Sequence, residues 1–230
     1  MKVMIITTPI RPTPTNFPPF GSLSIINYLR RNGIEEIEFF NIDALRPDYE
    51  TVLDQIKQAS PDVLGISAVV STAYEYTKRL SLDVKKYLPE TLIVVGGSLA
   101  ASSEILLRKT GIDLCVLAEG EKVFLNIVTK AKETKNPVEF SSIKGLVLLD
   151  ANDQLQNTGF ETSLPADQLY QFEWDDLVGP DLKDVFFPVV GINAGDRAWM
   201  RYDPRCLEPS RKGKRHAMLP GAKGCVARCT

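Results

Sequence analysis

A single histidine, His216, serves a chain of 230 residues. That scarcity argues against a Ser-His-Asp triad, which needs an imidazole beside its nucleophile, and against a histidine-rich zinc site. Cysteine is scarce too, with four residues at 115, 206, 225 and 229, half of them in the last six positions. A disulfide framework spreads its cysteines along a secreted chain, so this placement points to a reduced compartment with thiolate chemistry near the C-terminus. An excess of one charge is missing: 27 Lys+Arg stand against 29 Asp+Glu, for a net charge of −2. No bulk positive surface is left for nucleic acid. Long apolar runs are missing as well. The stretch from Met1 to Pro9 is too short for a secretory core or a membrane span, and no small-residue cleavage site follows it. The expectation is a cytoplasmic protein with no nucleic-acid and no membrane partner.

What is present is a regular alternation. Val3 to Thr7 is an apolar, β-branched run that reads as a buried strand, and Pro9, Pro12, Pro14, Pro18 and Pro19 mark the loop after it. Leu23, Ile26 and Leu29 then recur at helical spacing until Gly33 stops them. Ile37 to Ile42 reads as a second strand, and Val52, Leu53, Ile56 and Ala59 as a second helix face closed by Ser60-Pro61. Val63 to Val70 is nearly all apolar, the pattern of a strand covered on both faces of a parallel sheet. A helix with the stripe Ala73, Tyr76, Leu80, Val84 and Tyr87 follows, then the strand Leu92 to Val95 halted by Gly96-Gly97. A helix over 102–109, a strand from Asp113 to Leu117 and a helix over 121–133 complete the series. Five strands alternating with helices predict a doubly wound α/β domain with a five-stranded parallel sheet, over residues 1–137. Beyond Lys135 the rhythm changes. Ile143 to Leu149 and the turn Ala151-Asn152-Asp153 suggest a hairpin, and the stretch 138–215 reads as a connector with short, irregular elements. From His216 to Thr230 a strand runs into a loop of glycine and cysteine.

In an open parallel sheet, ligands bind beyond the carboxyl ends of the strands, where the strand order reverses. The loops there are Thr7 to Gly21, Ser67 to Thr72, Gly96 to Ser98 and Glu119 to Glu121. Gly96-Gly97 would let a bulky ligand approach the backbone, and Ser67 and Ser98 offer small hydroxyls. A plain tight turn explains the glycine pair equally well, and Ser67 alone fits a satisfied core hydroxyl. Glu119-Gly120-Glu121 suits an acidic helix start that complements the dipole. A dinucleotide fingerprint needs a glycine-rich turn after the first strand, where this chain has prolines and only Gly21. A phosphorelay receiver needs clustered acids where this chain has Thr7-Thr8 and Ser67. Cys225 and Cys229 form a CxxxC pair that can bind a soft metal, but two thiolates do not close a zinc or iron-sulfur site. Cys115 sits inside an apolar strand and reads as a small core residue.

Taken together, Pro61-Asp62-Val63-Leu64-Gly65-Ile66-Ser67, Ile93-Val94-Val95-Gly96-Gly97-Ser98 and Gly111-Ile112-Asp113, leading to Ala118-Glu119-Gly120-Glu121, resemble the cobalamin-binding domain of cobalamin-dependent radical S-adenosylmethionine (SAM) enzymes. The tail Gly224-Cys225-Val226-Ala227-Arg228-Cys229-Thr230 resembles the first two cysteines of their CxxxCxxC motif. The order matches as well, with the binding domain first, a connector next and the cysteine loop after a first barrel strand.

The resemblance implies a flavodoxin-like, Rossmann-like domain that holds cobalamin. Ser67 would pack against its nucleotide tail, and Gly96 and Gly97 would admit the dimethylbenzimidazole between sheet and helices. The segment from Thr8 to Gly21 would lie near the lower face of the corrin, with Val69, Ser98, Gly120 and Glu121 completing the rim. Better-known cobalamin domains carry a cobalt-ligating histidine in the first loop; here there is none, as in the radical SAM branch. Cys225 and Cys229 would ligate two irons of a 4Fe-4S cluster, with the third cysteine expected two positions beyond Thr230. The 216–230 segment is then the start of a barrel, which needs about 200 residues or more, and the chain is expected to be the N-terminal portion of a longer enzyme.

In such an enzyme, the resemblance implies that the cluster cleaves SAM to a 5′-deoxyadenosyl radical and that methylcobalamin delivers a methyl group to a small-molecule or peptide substrate. An electron donor such as flavodoxin or ferredoxin would serve it. The alternative is a non-catalytic cobalamin-binding or interaction module of the same fold. The expected behaviour of Gly97→Leu is loss of corrin with the fold intact.

Overall fold

Three β-branched runs form the centre of the sheet because they are apolar on both faces: Val3–Thr7 (β1), Val63–Ser67 (β3) and Leu92–Gly96 (β4), buried along their length except at the last residues of β3 and β4. In the computed structural model, which describes residues 1–14, 17–168, 182–187, 189 and 208–217, β1 pairs in parallel with Ile37–Phe40 (β2) on one side and β3 on the other. β4 continues from β3 and Leu114–Val116 (β5) from β4, again in parallel. The sheet then gains two antiparallel strands, Leu146–Leu149 (β6) and Leu155–Asn157 (β7), so its order is β2-β1-β3-β4-β5-β6-β7.

The five-stranded parallel sheet expected from the sequence is present, and the hairpin assigned to the connector widens it to seven strands. The reason lies in β6 itself. Val147 enters the apolar layer on one face of the sheet, and Leu146 and Leu148 enter the layer on the other. A detached hairpin would leave one of those faces in water.

Helices cover both faces. Phe20–Arg31 (α1) and Gly120–Lys130 (α6) lie on one, through Ile26, Leu29, Val123, Phe124 and Ile127. Tyr49–Ala59 (α3), Tyr74–Tyr87 (α4) and Ser103–Lys109 (α5) lie on the other, through Val52, Ile56, Leu80, Val84 and Leu106. Between β2 and α3 stands one further turn, Ile42–Leu45 (α2). The sequence reading carried β2 through Ile42; Asn41 ends it sooner, because its side chain accepts from Ala44 N and caps α2. The α4 stripe also shifts. Ala73 belongs to a preceding 3-10 turn, so the buried positions within the helix are Thr77, Leu80, Ser81 and Val84, while Tyr87 is 49% exposed. Ser98–Ser102 is likewise a 3-10 turn, and α5 begins after it. Cys115 is a fully buried core residue, its thiol pushed up to about 12 by burial.

The chain forms two compact units, Met1–Thr15 with Gly21–Phe172, and Asn16–Phe20 with Glu173–Thr230. In the second, Lys183–Phe186 (α7) is a short helix, and Arg215 bridges to Val189 while donating from Nη1 to Phe187 O at 2.6 Å. Cys206, Cys225, Cys229 and the barrel strand expected before them lie outside the described residues. Among the described residues no helix is long and apolar enough to cross a membrane.

Phe140, in the 3-10 turn Pro137–Ser142, is fully buried in the same layer as α1 and α6. Phe140→Ala should therefore destabilise the first unit by about 3–5 kcal/mol, read from the urea midpoint; a change within error would place this segment outside the core. A pH effect follows from Asp62, which accepts from Lys135 Nζ at 2.6 Å and Lys2 N at 2.9 Å. Chiefly the Lys135 bond, and then the Lys2 amide, hold its pKa below the ordinary 3.8. A lowered carboxylate pKa contributes stability above the unfolded value and loses it as pH falls through the folded one. Stability should drop below about pH 4, and Asp62→Asn should flatten that part of an acid-unfolding profile.

Candidate functional site

Strand register builds one level rim. Thr7 pairs with Ser67 and Ser67 with Gly96, so β1, β3 and β4 end side by side. From β1 the chain crosses to β2 on one side, and from β3 it proceeds through β4 to β5 on the other. The strand order therefore reverses between β1 and β3, where a crevice opens in such sheets. The nine residues that the resemblance assigns to cobalamin fall on this edge: Thr8 after β1, Gly21 in the first turn of α1, Ser67 ending β3 and Val69 after it, Gly96 ending β4 with Gly97 and Ser98 after it, and Gly120 and Glu121 opening α6.

They do different things there. Thr8 is fully buried, and both its amide and its hydroxyl donate to Ser67 O, at 3.2 and 3.3 Å. The Ser98 hydroxyl donates to Val69 O. These two hydroxyls lock loops together. Glu121 is buried, its Oε1 accepting from Ser24 Oγ of α1 at 2.6 Å, and a Cβ on Gly120 would meet Ile25 Cδ1 at 2.8 Å. That pair joins α6 to α1, so neither residue presents itself to a ligand.

Two positions remain open. A Cβ on Gly96 would meet nothing within 4 Å, and the same holds for Gly21. Beside Gly96, the Ser67 hydroxyl makes no hydrogen bond among the described residues, and Val69 is 47% exposed. Open backbone, a free hydroxyl and a bare apolar side chain are thus gathered at the crevice.

Gly97 behaves otherwise than expected. Its φ is +85°, and a Cβ there would stand 2.5 Å from Ala68 O. It is the backbone of the neighbouring loop that approaches it, so Gly97→Leu cannot leave the fold intact. The glycine pair divides its work: Gly97 permits the loops to pack, and Gly96 leaves room.

Sequence reasoning missed the corner that shapes the proline-rich loop. Asn41 Oδ1 accepts from Thr7 Oγ1 at 2.8 Å, and Thr7 Oγ1 accepts from Asp43 N at 3.1 Å. The buried Asp43 carboxylate takes Ile10 N at 2.9 Å and Arg46 Nη2 at 2.6 Å, and that guanidinium also donates to Thr13 O at 2.9 Å. Thr72 Oγ1 donates to Ile10 O at 3.2 Å from the other side. The signal available was Asn41 as a cap for a short turn, hidden by the apolar run preceding it. Among the described residues no group of three or more His, Cys, Asp or Glu could hold a metal ion.

An open α/β sheet whose switch point is lined by small residues defines a cofactor-binding domain of the doubly wound class. The family model for the B12 binding domain matches residues 7–128, more than half of the sequence, and the chain belongs to that family. Among curated proteins, it is 27% identical over 135 residues to the anaerobic magnesium-protoporphyrin IX monomethyl ester cyclase of Rubrivivax gelatinosus, covering 57% of this chain and 24% of that one. It is 29% identical over 148 residues to an uncharacterized methyltransferase of Pyrococcus horikoshii, covering 59% and 31%. The chain thus spans a quarter to a third of these relatives. Among solved structures, the radical SAM methyltransferase TsrM of Kitasatospora setae, with cobalamin and a 4Fe-4S cluster bound, shares the fold with a TM-score of 0.58 and 16% identity over 72% of this chain and 30% of that one. The cobalamin-dependent radical enzyme OxsB, with aqua-cobalamin and SAM bound, gives a TM-score of 0.58 at 16% identity over 70% and 22%.

The two glycines should separate on mutation. Gly97→Ala should cost about 2 kcal/mol or more, from a strained backbone and an overpacked contact, whereas Gly96→Ala should leave the thermal midpoint within a degree or two of the parent. Equal midpoints for the two variants would contradict the division of roles.

Proposed function

We propose that this chain is the cobalamin-binding, N-terminal region of a radical SAM methyltransferase. The observation that carries the reading is the open space at Gly96 beside the unbonded Ser67 hydroxyl, at the switch point of a B12-binding domain. The residues present fit a large, flat ligand with a polar tail. Gly96 admits bulk between the strand ends and the helices, Ser67 offers a hydrogen bond to a polar tail atom, and Val69 offers an apolar surface to a ring edge.

When bound, cobalamin supplies a cobalt centre that can carry a methyl group. The work of the protein is positional. The Thr8 bonds to Ser67 O and the Ser98 bond to Val69 O fix the rim, and the Asp43–Arg46 corner fixes the proline-rich loop. That loop contains no histidine, so on this reading it lies against the corrin without ligating the metal. Cys225 and Cys229 would hold two irons of a 4Fe-4S cluster at which SAM binds. A substrate and a low-potential electron donor such as flavodoxin or ferredoxin complete the activity, in the cytoplasm, where thiolates stay reduced.

The test is retention of cobalamin. Mixed anaerobically with hydroxocobalamin and passed through gel filtration, the chain should keep a corrin with a base-off spectrum. Gly96→Leu should elute at the same volume without it. No corrin on the parent would overturn the reading, and a soluble Gly96→Leu that binds as well as the parent would misplace the pocket.

A further inference from the structure

Ser22 stands in the first turn of α1 and is 2% exposed, yet its hydroxyl has no hydrogen-bond partner among the described residues. A buried hydroxyl left unbonded costs free energy, and native chains keep few of them, so each calls for a physical reason. Its direction is set by the helix: Ser22, Ile26 and Leu29 fall at i, i+4 and i+7, and both apolar members are fully buried in the layer with Val3, Ile5, Val63 and Val94. Ser22 therefore faces the layer between α1 and the sheet, one turn nearer the rim than Ile26. Because the loop from β1 leads directly into α1, this first turn lies at the edge where Thr7, Ser67 and Gly96 end.

The surroundings suit a polar ligand. A Cβ on the adjacent Gly21 would meet nothing within 4 Å. The first turn of this 12-residue helix holds no acidic residue, so its amides keep their partial positive charge. Thr77 is another buried hydroxyl without a partner among the described residues, but it sits on α4 against the opposite face, away from this layer.

We propose that Ser22 is a ligand-binding residue whose hydroxyl donates to an acceptor atom of the nucleotide tail of cobalamin, entering between α1 and the sheet. The assignment rests on the cobalamin reading above and extends the site from the strand ends to the first helix. Ser67 engages the tail from the sheet and Ser22 from the helix, so the tail is held on two sides.

Ser22→Ala in the full 230-residue chain tests it with two probes: hydroxocobalamin, which has the nucleotide tail, and diaquacobinamide, which lacks it. Affinity for hydroxocobalamin should fall about five- to tenfold, while affinity for diaquacobinamide stays unchanged. The Tm without ligand should be equal to or above that of the parent, because no bond within the protein is lost. Unchanged affinity for hydroxocobalamin overturns the proposal. An equal loss for both probes, or a lower Tm without ligand, overturns it too and makes the hydroxyl structural. A parent chain that binds neither probe fails at the cobalamin reading itself, a result distinct from failure at Ser22, and removes both.

Discussion

The loops after β3 and β4 approach so closely at Ala68 and Gly97 that no side chain fits between them. Ala68 N donates to Gly96 O at 3.0 Å and Leu99 N to Ala68 O at 3.1 Å, a backbone clasp that continues the sheet one residue past its last strand pair. A side chain on Gly97 would collide with Ala68 O. With the clasp made, Ser98 reaches Val69, Thr8 reaches Ser67, and Ser67 and Gly96 are left side by side with open space over the latter. The crevice is thus the remainder of a tightly bonded rim, and its shape is set by backbone rather than by flexible side chains.

On the proposed reading, a site for a large cofactor is made here from small residues. A flat ring system with a long polar tail needs room near the strand ends, a few hydrogen bonds and a surface that does not rearrange. Room comes from Gly96, rigidity from Gly97, and the outer boundary from the Asn41–Asp43–Arg46 corner, which pins the proline-rich loop at Ile10 and Thr13. Proline limits what that loop can do by itself, and the corner selects one of the remaining shapes.

Much of the fold was legible in the residues. The runs at Val63–Ser67 and Leu92–Gly96 announce central parallel strands because no polar face interrupts them. Ser60, which ends α3 with a positive φ of 45°, could be placed from its position before proline and after an apolar stripe. That the loops after β1, β3 and β4 share one edge followed from topology alone. What could not be read was which small residue touches what. Gly96 and Gly97 are identical in sequence terms and opposite in role, since the difference lies in a φ value and in a neighbouring loop 29 residues away, from Ala68 to Gly97. Ser22 looked like any polar residue near a helix start. The hairpin was visible as a hairpin, but its docking on β5 depends on both faces of β6 being covered, a tertiary fact.

The hairpin also governs where the chain goes next. β6 begins beside the end of β5, with Leu117 N bonded to Gly145 O, and runs toward the opposite edge; β7 turns it round again. Thr158 N returns to Leu146 O and Gly159 O accepts from Gly145 N, so the chain leaves the sheet on the edge where Ser67 and Gly96 lie. One added strand would have delivered the outgoing polypeptide to the far edge, beside Asp62 and Lys135. Two strands make a round trip, so that Gly159 ends on the same edge of the sheet as Ser67 and Gly96, on the far side of β5 and β6 from them.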